Sequence, residues 1–454
     1  MNDERFDVAI VGAGFCGTMV AVQLLRSRKH SLSIALIEKS ADCGLGLAYR
    51  TEDPQHLLNV VAGRMSAFPE DPDHFLNWLA GQAIVAEFGS FVPRMVYGRY
   101  LKSCLSDAVA NARAFHRIEF VCAQVTSVDV VVDGARLTLS GSEREQLLSQ
   151  RVVLALGNMP PRAPRPFAEG QIELMEFRGK APTTRAVLLV GAGLTAVDAV
   201  LSVSASQPEA KIYVLSRRGL APRPHRKPRA GGELPGIAAM PKPGTGVREA
   251  VREVRAVVAG LEDVEGDWRA VIDSLRQVTE HFWRQFSPKD QARFLRHVRP
   301  FWDVHRHRVA PQIGERLVEL LDSGRVQFLG GYIDSVEQAG DRYGVAIRAR
   351  RSGEVINIQV DRVMNCTGSR FDVRDPMVRQ LVDRGNVTVS HTRLGLRTDL
   401  RGALVDAAGV PSSTLFTLGP PCLGDLWESI AVPELRLQAQ GLAERLIELK
   451  AGSK

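Results

Sequence analysis

The sequence is poor in cysteine, and this shortage narrows the chemistry that the protein can perform. Only 6 cysteines occur in 454 residues, and they are scattered, with no Cys-x-x-Cys pair and no metal-ligand spacing. Cys43 follows a predicted strand, but no second cysteine lies near it, so we interpret it as a small packing residue. We therefore expect neither dithiol chemistry nor a metal site, and we expect reduced thiols, as in the cytoplasm.

Long apolar runs and dense charge are also lacking. The longest apolar run, residues 186–205, contains Asp198 and a glycine turn, which predicts a strand, a turn and a helix instead of a membrane span. The acidic residues 1–5 lead directly into a strand pattern, which does not fit a signal peptide. A net charge of +7, without a tract of Lys and Arg interleaved with aromatics, favours neither nucleic acid nor membrane as a partner. The length suits two or three domains of a cytoplasmic globular protein.

The sequence does contain two glycine-rich turns, and the first follows the apolar run at residues 8–11. Gly12 permits a tight turn, Gly14 lets the backbone approach a pyrophosphate, and Gly17 lets the next helix pack on the strand. A second apolar strand ends at Glu38, where an acid holds a ribose hydroxyl. The alternative is a glycine turn with no ligand. The predicted contacts are Gly12, Gly14, Phe15, Cys16, Gly17, Glu38 and Lys39.

The second glycine turn, after residues 187–190, differs from the first in two places. Ala196 replaces the third glycine and is still small enough for close helix packing. The next strand ends in Ser216, Arg217 and Arg218 instead of an acid. Arginines there suit a 2′-phosphate and favour NADPH over NADH, whereas the alternative is that both arginines lie in a solvated loop. The predicted contacts are Gly191, Gly193, Thr195, Ala196, Arg217 and Arg218.

Three further apolar strands end in glycine, at residues 152–157, 363–368 and 415–420. We interpret them as returns of the chain into the first domain. Glycine after such a strand lets a ligand approach closely, which makes Gly157, Gly368 and Gly419 candidate cofactor contacts. Each of them alone is also compatible with an ordinary strand end.

The order of these motifs resembles that of the flavoproteins with two dinucleotide-binding domains, over nearly the whole chain. The resemblance implies an α/β fold with two Rossmann-like domains, one for FAD and one for NADPH, and a helical insertion. It places the FAD domain at residues 1–180 and 361–454 and the NADPH domain at residues 181–360. Pro420 departs from the family, which usually has Asp there beside the ribityl chain of the flavin. That contact would come from the backbone or from Asp425.

Four segments, 57–69, 71–79, 91–101 and 426–434, resemble a narrower group of bacterial FAD/NAD(P)-binding proteins related to the amino-acid N-hydroxylating monooxygenases. The loop 59–69 is rich in small residues, so it can lie against a flat ring, with polar side chains at the ring edge. The alternative is a surface loop with a helix cap at Ser66. The candidate cofactor contacts from these segments, and from a strand that resembles the adenine-contacting one, are Asn59, Arg64, Met65, Ser66, Val125, Leu426 and Trp427.

Residues 219–311 fit neither nucleotide fold and predict a helical insertion in the NADPH domain. A loop rich in Pro and basic residues, 221–228, leads through Pro241 and Pro243 to helical spacing at 247–261 and 268–286. The insertion ends in the aromatic and titratable cluster 301–308. We expect Arg306 or Arg308 to bind a substrate carboxylate and His305 to move a proton. The alternative is that Phe301 and Trp302 form a helix core while the charges face solvent.

Together these features predict an FAD-dependent oxidoreductase that uses NADPH. NADPH would reduce FAD where the two domains meet, and the reduced flavin would react with molecular oxygen to oxidise a small substrate, with an amine such as an amino acid favoured. One alternative is a reductase or oxidase that passes electrons to oxygen, a quinone or a partner protein. Another is a non-catalytic FAD-binding redox sensor, which the intact second fingerprint disfavours. Whether the protein forms a homo-oligomer is left open.

Overall fold

A computed structural model describes residues 5–40, 43–168, 172–174, 184–226, 244–261, 267–276 and 278–452. The chain divides into two compact units. The first unit comprises Met1–Arg50, Val61–Met159 and Arg370–Lys454, and the second comprises Thr51–Val60 and Pro160–Ser369. Their boundaries differ from the expected ones at 180/181 and 360/361, and Thr51–Val60 belongs to the second unit.

The strands are β1 (Arg5–Val11), β2 (Ser33–Glu38), β3 (Arg117–Cys122), β4 (Gln124–Val131), β5 (Gly134–Ser140), β6 (Gln146–Leu154), β7 (Glu173–Leu174), β8 (Ala186–Val190), β9 (Lys211–Ser216), β10 (Val326–Ala339), β11 (Arg342–Ala349), β12 (Val355–Val360), β13 (Arg362–Asn365), β14 (Ala403–Val405) and β15 (Pro411–Thr417).

The helices are α1 (Phe15–Arg26), α2 (Gly46–Tyr49), α3 (His74–Gly81), α4 (Arg94–Ala112), α5 (Leu194–Ser206), α6 (Val247–Ala259), α7 (Trp268–Leu275), α8 (Thr279–Gln285), α9 (Pro288–Arg293), α10 (Arg299–Arg306), α11 (Pro311–Asp322), α12 (Pro376–Asp383) and α13 (Val432–Ala451). Short 3₁₀ turns occur at Ala62–Arg64 and Pro420–Cys422, and one π turn at Phe294–Val298.

The first unit is built on a sheet with the strand order β14-β15-β6-β1-β2-β3, to which β5 and β4 are added beside β6. The strands β3, β2, β1, β6 and β15 are parallel. Residues 6–11 of β1 are all buried, since the strand is covered on both faces, and such strands are continuous apolar runs in sequence. Helix α1 packs beside α4 and α13.

The second unit is built on a sheet with the order β12-β11-β10-β9-β8-β13-β7. Its strands β10, β9, β8, β13 and β7 are parallel, while β11 and β12 form an antiparallel extension. Strand β8 is buried along its whole length. Counted in chain order from β8, the strands β10, β9, β8 and β13 have the order 3-2-1-4, with β7 beside β13 at the edge, and the parallel strands of the first sheet have the order 3-2-1-4-5. Both are Rossmann orders, so the prediction of two Rossmann-like folds is confirmed.

One of the three strand assignments is wrong. Residues 152–154 lie in β6 and residues 415–417 in β15, and both strands belong to the first sheet as predicted. Residues 363–365 lie in β13, which pairs with β8 through Met364 and Leu189 in the second sheet. Gly368 therefore belongs to the second unit. An apolar strand followed by glycine looks the same in either sheet, and only the pairing partner tells them apart.

The described part of the insertion is helical, with α6 to α10 between β9 and α11. Its ends lie side by side, because Arg223 N–H donates to Val304 O at 2.9 Å and Val309 N–H donates to Arg223 O at 3.0 Å. The predicted features at 227–228, Pro241 and Pro243 lie outside the described residues.

Candidate functional site

The first glycine turn joins β1 to α1 and leaves no room for side chains at two of its three glycines. Gly12 has φ +97°, and a Cβ on it would lie 2.5 Å from Ala155 O. A Cβ on Gly17 would lie 1.8 Å from Gly12 O. Both glycines are therefore required by the close approach of backbone to backbone, which is the role that the sequence predicts for them.

Gly14 is different, because its surroundings leave space. It precedes α1 with φ −72°, and the nearest atom to a Cβ there would be Gly46 Cα at 3.6 Å. Phe15 and Cys16, both buried, begin the helix behind it. The first turn of a helix has N–H groups without acceptors in the helix, and its partial positive charge favours anions. The backbone at Gly14 is thus open on the side where a phosphate would be held.

Glu38 lies beside this turn at the end of β2. Its Oε2 accepts the N–H of Ala13 at 2.8 Å, and its Oε1 accepts the N–H of Lys39 at 3.0 Å. The two bonds fix the carboxylate next to the glycine backbone. An ionised carboxylate has about four acceptor positions, so the remaining ones are available for the hydroxyls of a ribose.

Gly419 brings the end of β15 to the same turn. It has φ +74°, and a Cβ on it would lie 2.7 Å from Cys16 Sγ. Its N–H donates to Gln438 Oε1 at 2.9 Å. Gly157, after β6, has φ +59° and no atom within 4 Å of a Cβ. The structure thus gathers Gly12, Cys16 and Gly419 at one end of the first sheet.

Asp425, considered as a replacement for the acid missing at Pro420, is held by the backbone. Its Oδ2 accepts the N–H of Thr398 at 3.1 Å. Leu426 and Trp427, from the segment after it, are both buried. A role for either of them toward a ligand stays a prediction.

The loop 61–69 is tightly bonded to its surroundings in the first unit. Gly63 packs so closely that a Cβ there would be 2.1 Å from the Phe88 ring. The Ser66 hydroxyl, fully buried, donates within its own loop, to Phe68 O at 3.1 Å or Asp71 O at 2.5 Å. The hydroxyl therefore stabilises a buried turn and caps no helix, since α3 begins at His74 with Asp73 as its N-cap, and a contact of Ser66 to a cofactor stays a prediction. Met65 is buried and Arg64 is half-buried.

Asn59 and Val125 are outside residues 61–69. Asn59 belongs to the second unit, where its carbonyl oxygen is 3.0 Å from His225 Nε2. Val125 lies in β4 opposite Leu139 of β5 and is buried in the core of the first unit. Its backbone role toward an adenine stays a prediction.

The second glycine turn repeats the first with one tight glycine and one open glycine. Gly191 has φ +116°, and a Cβ on it would lie 2.0 Å from Cys366 O. Gly193, which precedes α5, has no atom within 4 Å of a Cβ. Thr195 is half-buried and Ala196 is buried in the first turn of α5. Gly368, with φ +88°, follows β13, which pairs with β8 at this turn.

The end of β9 has no acid, in agreement with the sequence. Ser216 Oγ accepts the N–H of Gly219 at 3.0 Å instead. Arg217 is exposed, whereas the Arg218 guanidinium lies 5.0 Å from the ring centroid of Phe301. The solvated-loop alternative therefore fits Arg217 alone, because Arg218 stacks on α10 of the insertion.

The cluster 301–308 differs from the helix-core alternative, and the substrate roles expected of His305, Arg306 and Arg308 stay predictions. Phe301 is 46% exposed, while Arg306 and Arg308 are 7% and 3% exposed. Phe301 is thus exposed and two guanidinium groups are buried, in contrast to the helix-core alternative, whereas Trp302 is half-buried and contacts the Phe294 ring. Arg308 forms an ion pair with Asp273. His305 Nδ1 is 2.7 Å from Phe301 O of its own helix, and its ring meets Trp268 edge-on at 4.8 Å.

Two histidines that the sequence analysis did not single out bind Thr51–Val60 to the rest of the second unit. His56 is fully buried, with Nδ1 2.7 Å from Thr51 Oγ1 and Nε2 2.9 Å from Ser202 Oγ of α5. His225 bonds Asn59 O, and burial together with the Arg308 guanidinium lowers its pKa to about 4. Neither stands in a motif, so no local sequence signal could have found them.

The described residues contain no group of three His, Cys, Asp or Glu side chains placed to share a metal ion. Among the helices of the described ranges, none combines the length and the apolar character that crossing a membrane requires.

Comparison with known proteins agrees with this geometry. Residues 9–159 match a family model described as FAD-NAD(P)-binding. This match confirms the nucleotide-binding character expected for the part of the chain that contains the first glycine turn. No curated protein matches the chain by sequence.

Solved structures resemble the whole chain at low sequence identity. The ornithine N-hydroxylase of Kutzneria sp. 744 has a TM-score of 0.69 and 16% identity, over 98% of this chain and 100% of that one. The L-lysine 6-monooxygenase of Pseudomonas syringae has a TM-score of 0.67 and 16% identity, with the same 98% and 100% coverage. The bacillithiol disulfide reductase of Bacillus cereus has a TM-score of 0.57 and 14% identity, over 98% and 99%. The fold is thus shared along the full length of these chains.

Proposed function

We propose that the chain is an FAD- and NADPH-dependent monooxygenase that oxidises a small amine, with an amino acid as the favoured substrate. The observation that carries the proposal is a pair of Rossmann folds whose glycine turns differ at the ribose position. The first has Glu38 bonded to the turn, and the second has Ser216 followed by Arg217 and Arg218.

The first turn fits FAD. The closed space at Gly12 and Gly17 and the open space at Gly14 let the backbone at the start of α1 contact a pyrophosphate, and the Glu38 carboxylate is fixed where a ribose would lie. The second turn fits NADPH, since Gly193 is open and the arginines after β9 supply positive charge for a 2′-phosphate. When bound, NADPH supplies a hydride and FAD supplies the chemistry with oxygen.

The substrate class is supported by two of the similar structures. Their names describe an ornithine N-hydroxylase and an L-lysine 6-monooxygenase, and both resemble this chain along its whole length. The cysteines of this chain favour this class over dithiol reduction, because five of the 6 are buried or half-buried and none is part of a Cys-x-x-Cys pair.

We propose His305 and Arg306 for the substrate side. Arg306 is buried at the end of α10, where a guanidinium held in place is suited to bind a carboxylate in a bidentate way. The Nδ1 of His305 faces a backbone carbonyl, so that nitrogen carries the proton and Nε2 is the basic one. Arg306→Lys should raise KM for a carboxylated amine. The same variant should change the rate of flavin reduction by NADPH much less.

The experiment that tests the function follows electrons and product together. Protein loaded with FAD is reduced with NADPH without oxygen, then mixed with air in the presence of ornithine, lysine or other amines, and hydroxylated product and hydrogen peroxide are measured. Product that accounts for most of the NADPH consumed supports the monooxygenase. Peroxide alone with every amine tested indicates the oxidase alternative, and failure of NADPH to reduce the flavin contradicts the proposal.

A further inference from the structure

Two segments that resemble the bacterial flavoprotein group, 71–79 and 91–101, have no part in the cofactor geometry described above. They fold into α3 and the first half of α4 in the first unit. Their aromatic side chains meet between these helices, and Tyr49 from α2 joins them. Only 6% of the chain is aromatic, yet three of its 6 tyrosines, Tyr49, Tyr97 and Tyr100, lie in this one cluster.

The rings form a continuous series. The ring centroids of Tyr49 and Tyr97 are 4.9 Å apart, and those of Tyr97 and Tyr100 are 5.4 Å apart. Trp78 follows at 5.5 Å from Tyr100. Tyr97 and Tyr100 are fully buried, whereas Trp78 is half-buried. Tyrosine and tryptophan side chains can lose one electron to form radicals, and an electron can pass between aromatic rings at such separations.

One end of this series lies at the first glycine turn. Tyr49 is the last residue of α2, and α2 begins at Gly46. A Cβ on Gly14 would lie 3.6 Å from Gly46 Cα. The series therefore connects the neighbourhood of the candidate FAD site with the surface at Trp78.

Tyr100 is the member that has a proton acceptor. Its hydroxyl is 2.8 Å from His74 Nδ1 and accepts the N–H of Ala67 at 3.2 Å. Because Ala67 already donates to the hydroxyl oxygen, the proton of the hydroxyl is free to point at His74. Burial lowers the pKa of His74, so the imidazole is neutral near pH 7 and can accept that proton.

Two neighbours of Tyr100 are unsuited to this role. Within the described residues, the hydroxyl of Tyr97 is buried without a hydrogen-bond partner, so an oxidised Tyr97 has no group to take its proton. The Cys104 thiol also contacts the Tyr100 hydroxyl, but burial raises the pKa of Cys104 to about 12. That thiol stays protonated and is not a base. Of the two fully buried tyrosines of the series, Tyr100 is therefore the one at which a neutral radical would be stabilised.

We propose that Tyr100 is a redox-active tyrosine with His74 as its proton acceptor, and that Tyr49, Tyr97, Tyr100 and Trp78 carry oxidising equivalents between the first glycine turn and the surface. The oxidant is a one-electron oxidant of the oxygen-derived radical class. It takes one electron through the rings and becomes an anion. The O–H bond of Tyr100 breaks, its proton forms a bond with His74 Nδ1, and a neutral tyrosyl radical beside an imidazolium remains. A protective role at a flavin site rests on the proposed function, whereas the radical chemistry does not.

The test generates the oxidant at the surface end, so that it does not depend on FAD. A ruthenium polypyridyl complex is attached to Asn77→Cys on α3, an exposed position beside Trp78, in a chain with Cys43→Ser and Cys122→Ser. A laser flash with an irreversible quencher makes a one-electron oxidant, and electron paramagnetic resonance with deuterated tyrosine identifies the radical. We expect a tyrosyl radical that forms more slowly in D₂O.

Three variants locate the radical. Tyr100→Phe should lose the tyrosyl signal, whereas Tyr332→Phe, at a half-exposed tyrosine of the second unit, should keep it. His74→Gln retains a hydrogen-bonding side chain that is not a base, so it should also lose the tyrosyl signal while a tryptophan radical persists. This variant decides the question if Tyr100→Phe does not fold.

The pH profile gives an independent readout. The tyrosyl signal should be lost as the pH falls through the pKa of His74, because the imidazolium cannot accept a proton. The charged groups that act on His74 are Asp71, Glu70, Asp107 and Arg26. A tyrosyl radical that survives Tyr100→Phe, or a tryptophan radical alone in the parent chain, would overturn the proposal. Either result leaves FAD and NADPH binding untouched, so failure of the proposed function would be recognised separately.

Discussion

The two glycines Gly14 and Gly17 stand three residues apart in the first turn, yet the structure predicts opposite consequences for changing each of them to alanine. Gly17→Ala places a Cβ 1.8 Å from Gly12 O and 3.1 Å from Ile10 Cγ2. Gly14→Ala places one 3.6 Å from the nearest atom, at an ordinary φ of −72°. The first change should damage the fold and the second should damage ligand binding.

The magnitude for Gly17→Ala follows from overpacking. Forcing extra volume into a packed site costs about 1–3 kcal/mol, and a rigid backbone oxygen as the obstacle places this site at the upper end. The better helix propensity of alanine returns about 1 kcal/mol. We therefore expect the free energy of unfolding of the first unit to fall by about 2 kcal/mol.

For Gly14→Ala we expect the stability of the flavin-free protein to stay within about 0.5 kcal/mol of the parent. The new methyl group occupies the space over the helix start where a phosphate would lie. Loss of one hydrogen bond to a charged oxygen costs about 1.5–3 kcal/mol. This corresponds to FAD binding that is roughly 10- to 100-fold weaker.

The assay measures both quantities on the same preparations. Urea denaturation of the flavin-free chain, followed by the fluorescence of tryptophans that include Trp78 and Trp427 in the first unit, reports stability. Quenching of flavin fluorescence on titration reports the dissociation constant of FAD. The reasoning is refuted if Gly14→Ala binds FAD as tightly as the parent chain, or if it destabilises the fold as much as Gly17→Ala does.

Three further predictions follow from side chains of the second unit. Arg217→Ala should reduce the preference for NADPH over NADH in kcat/KM, while Arg218→Ala, at a side chain that stacks on an aromatic ring, should also lower thermal stability; equal coenzyme preference in the parent and in Arg217→Ala would contradict this. The pKa of His225 is lowered from 6.5 to about 4, so its contribution to stability is complete above pH 6.5 and is lost as the pH falls toward about 4. It amounts to about 3 kcal/mol, and urea denaturation across this range should show a flatter pH dependence in His225→Gln. Ser202→Ala removes bonds to Asp53 at 2.6 Å and to His56 at 2.9 Å and should cost about 2–3 kcal/mol. Ser206→Ala, at an exposed hydroxyl that bonds only its own helix, is the matched control in differential scanning calorimetry, and a cost equal to that of Ser202→Ala would be evidence against the bonding role of Ser202.

Much of the fold could be predicted because its constraints are local. A strand covered on both faces has to be apolar throughout, as β1 and β8 are, and the turn that follows has to contain glycine where backbones approach. A Cβ on Gly12 would lie 2.5 Å from Ala155 O, and a Cβ on Gly191 would lie 2.0 Å from Cys366 O. Glu38 at the end of β2, and Ser216 in place of an acid at the end of β9, can likewise be recognised within about 25 residues of each glycine turn.

The rest depends on pairing between distant segments, and no local pattern contains that information. Residues 363–368 are an apolar strand followed by glycine, like 152–157, yet the first pairs with β8 and the second with β1. Thr51–Val60 follows the first fold in sequence, but His56 and Asn59 bond to residues of the second unit that lie more than 140 positions away. The burial of Arg306 and Arg308 also depends on α7 and α10 meeting, which a helical period alone does not specify.

The two glycine turns differ at their third small residue, which is Gly17 in the first and Ala196 in the second. This difference determines how each turn responds to substitution. At the first turn the Cβ of an alanine at position 17 would collide with Gly12 O at 1.8 Å, so the helix is packed as closely as glycine allows. At the second turn Ala196 is already present and buried, and its N–H donates to Gly193 O at 3.0 Å. The second helix thus starts with enough separation from its strand for one methyl group. Ala196→Gly would leave the space of that methyl group unfilled and should destabilise the second unit by about 1 kcal/mol, whereas Gly17→Ala fails for want of space. Gly17→Ala and Ala196→Gly are thus both unfavourable. Each glycine turn is matched to the strand–helix spacing of its own fold, so the two turns are not interchangeable.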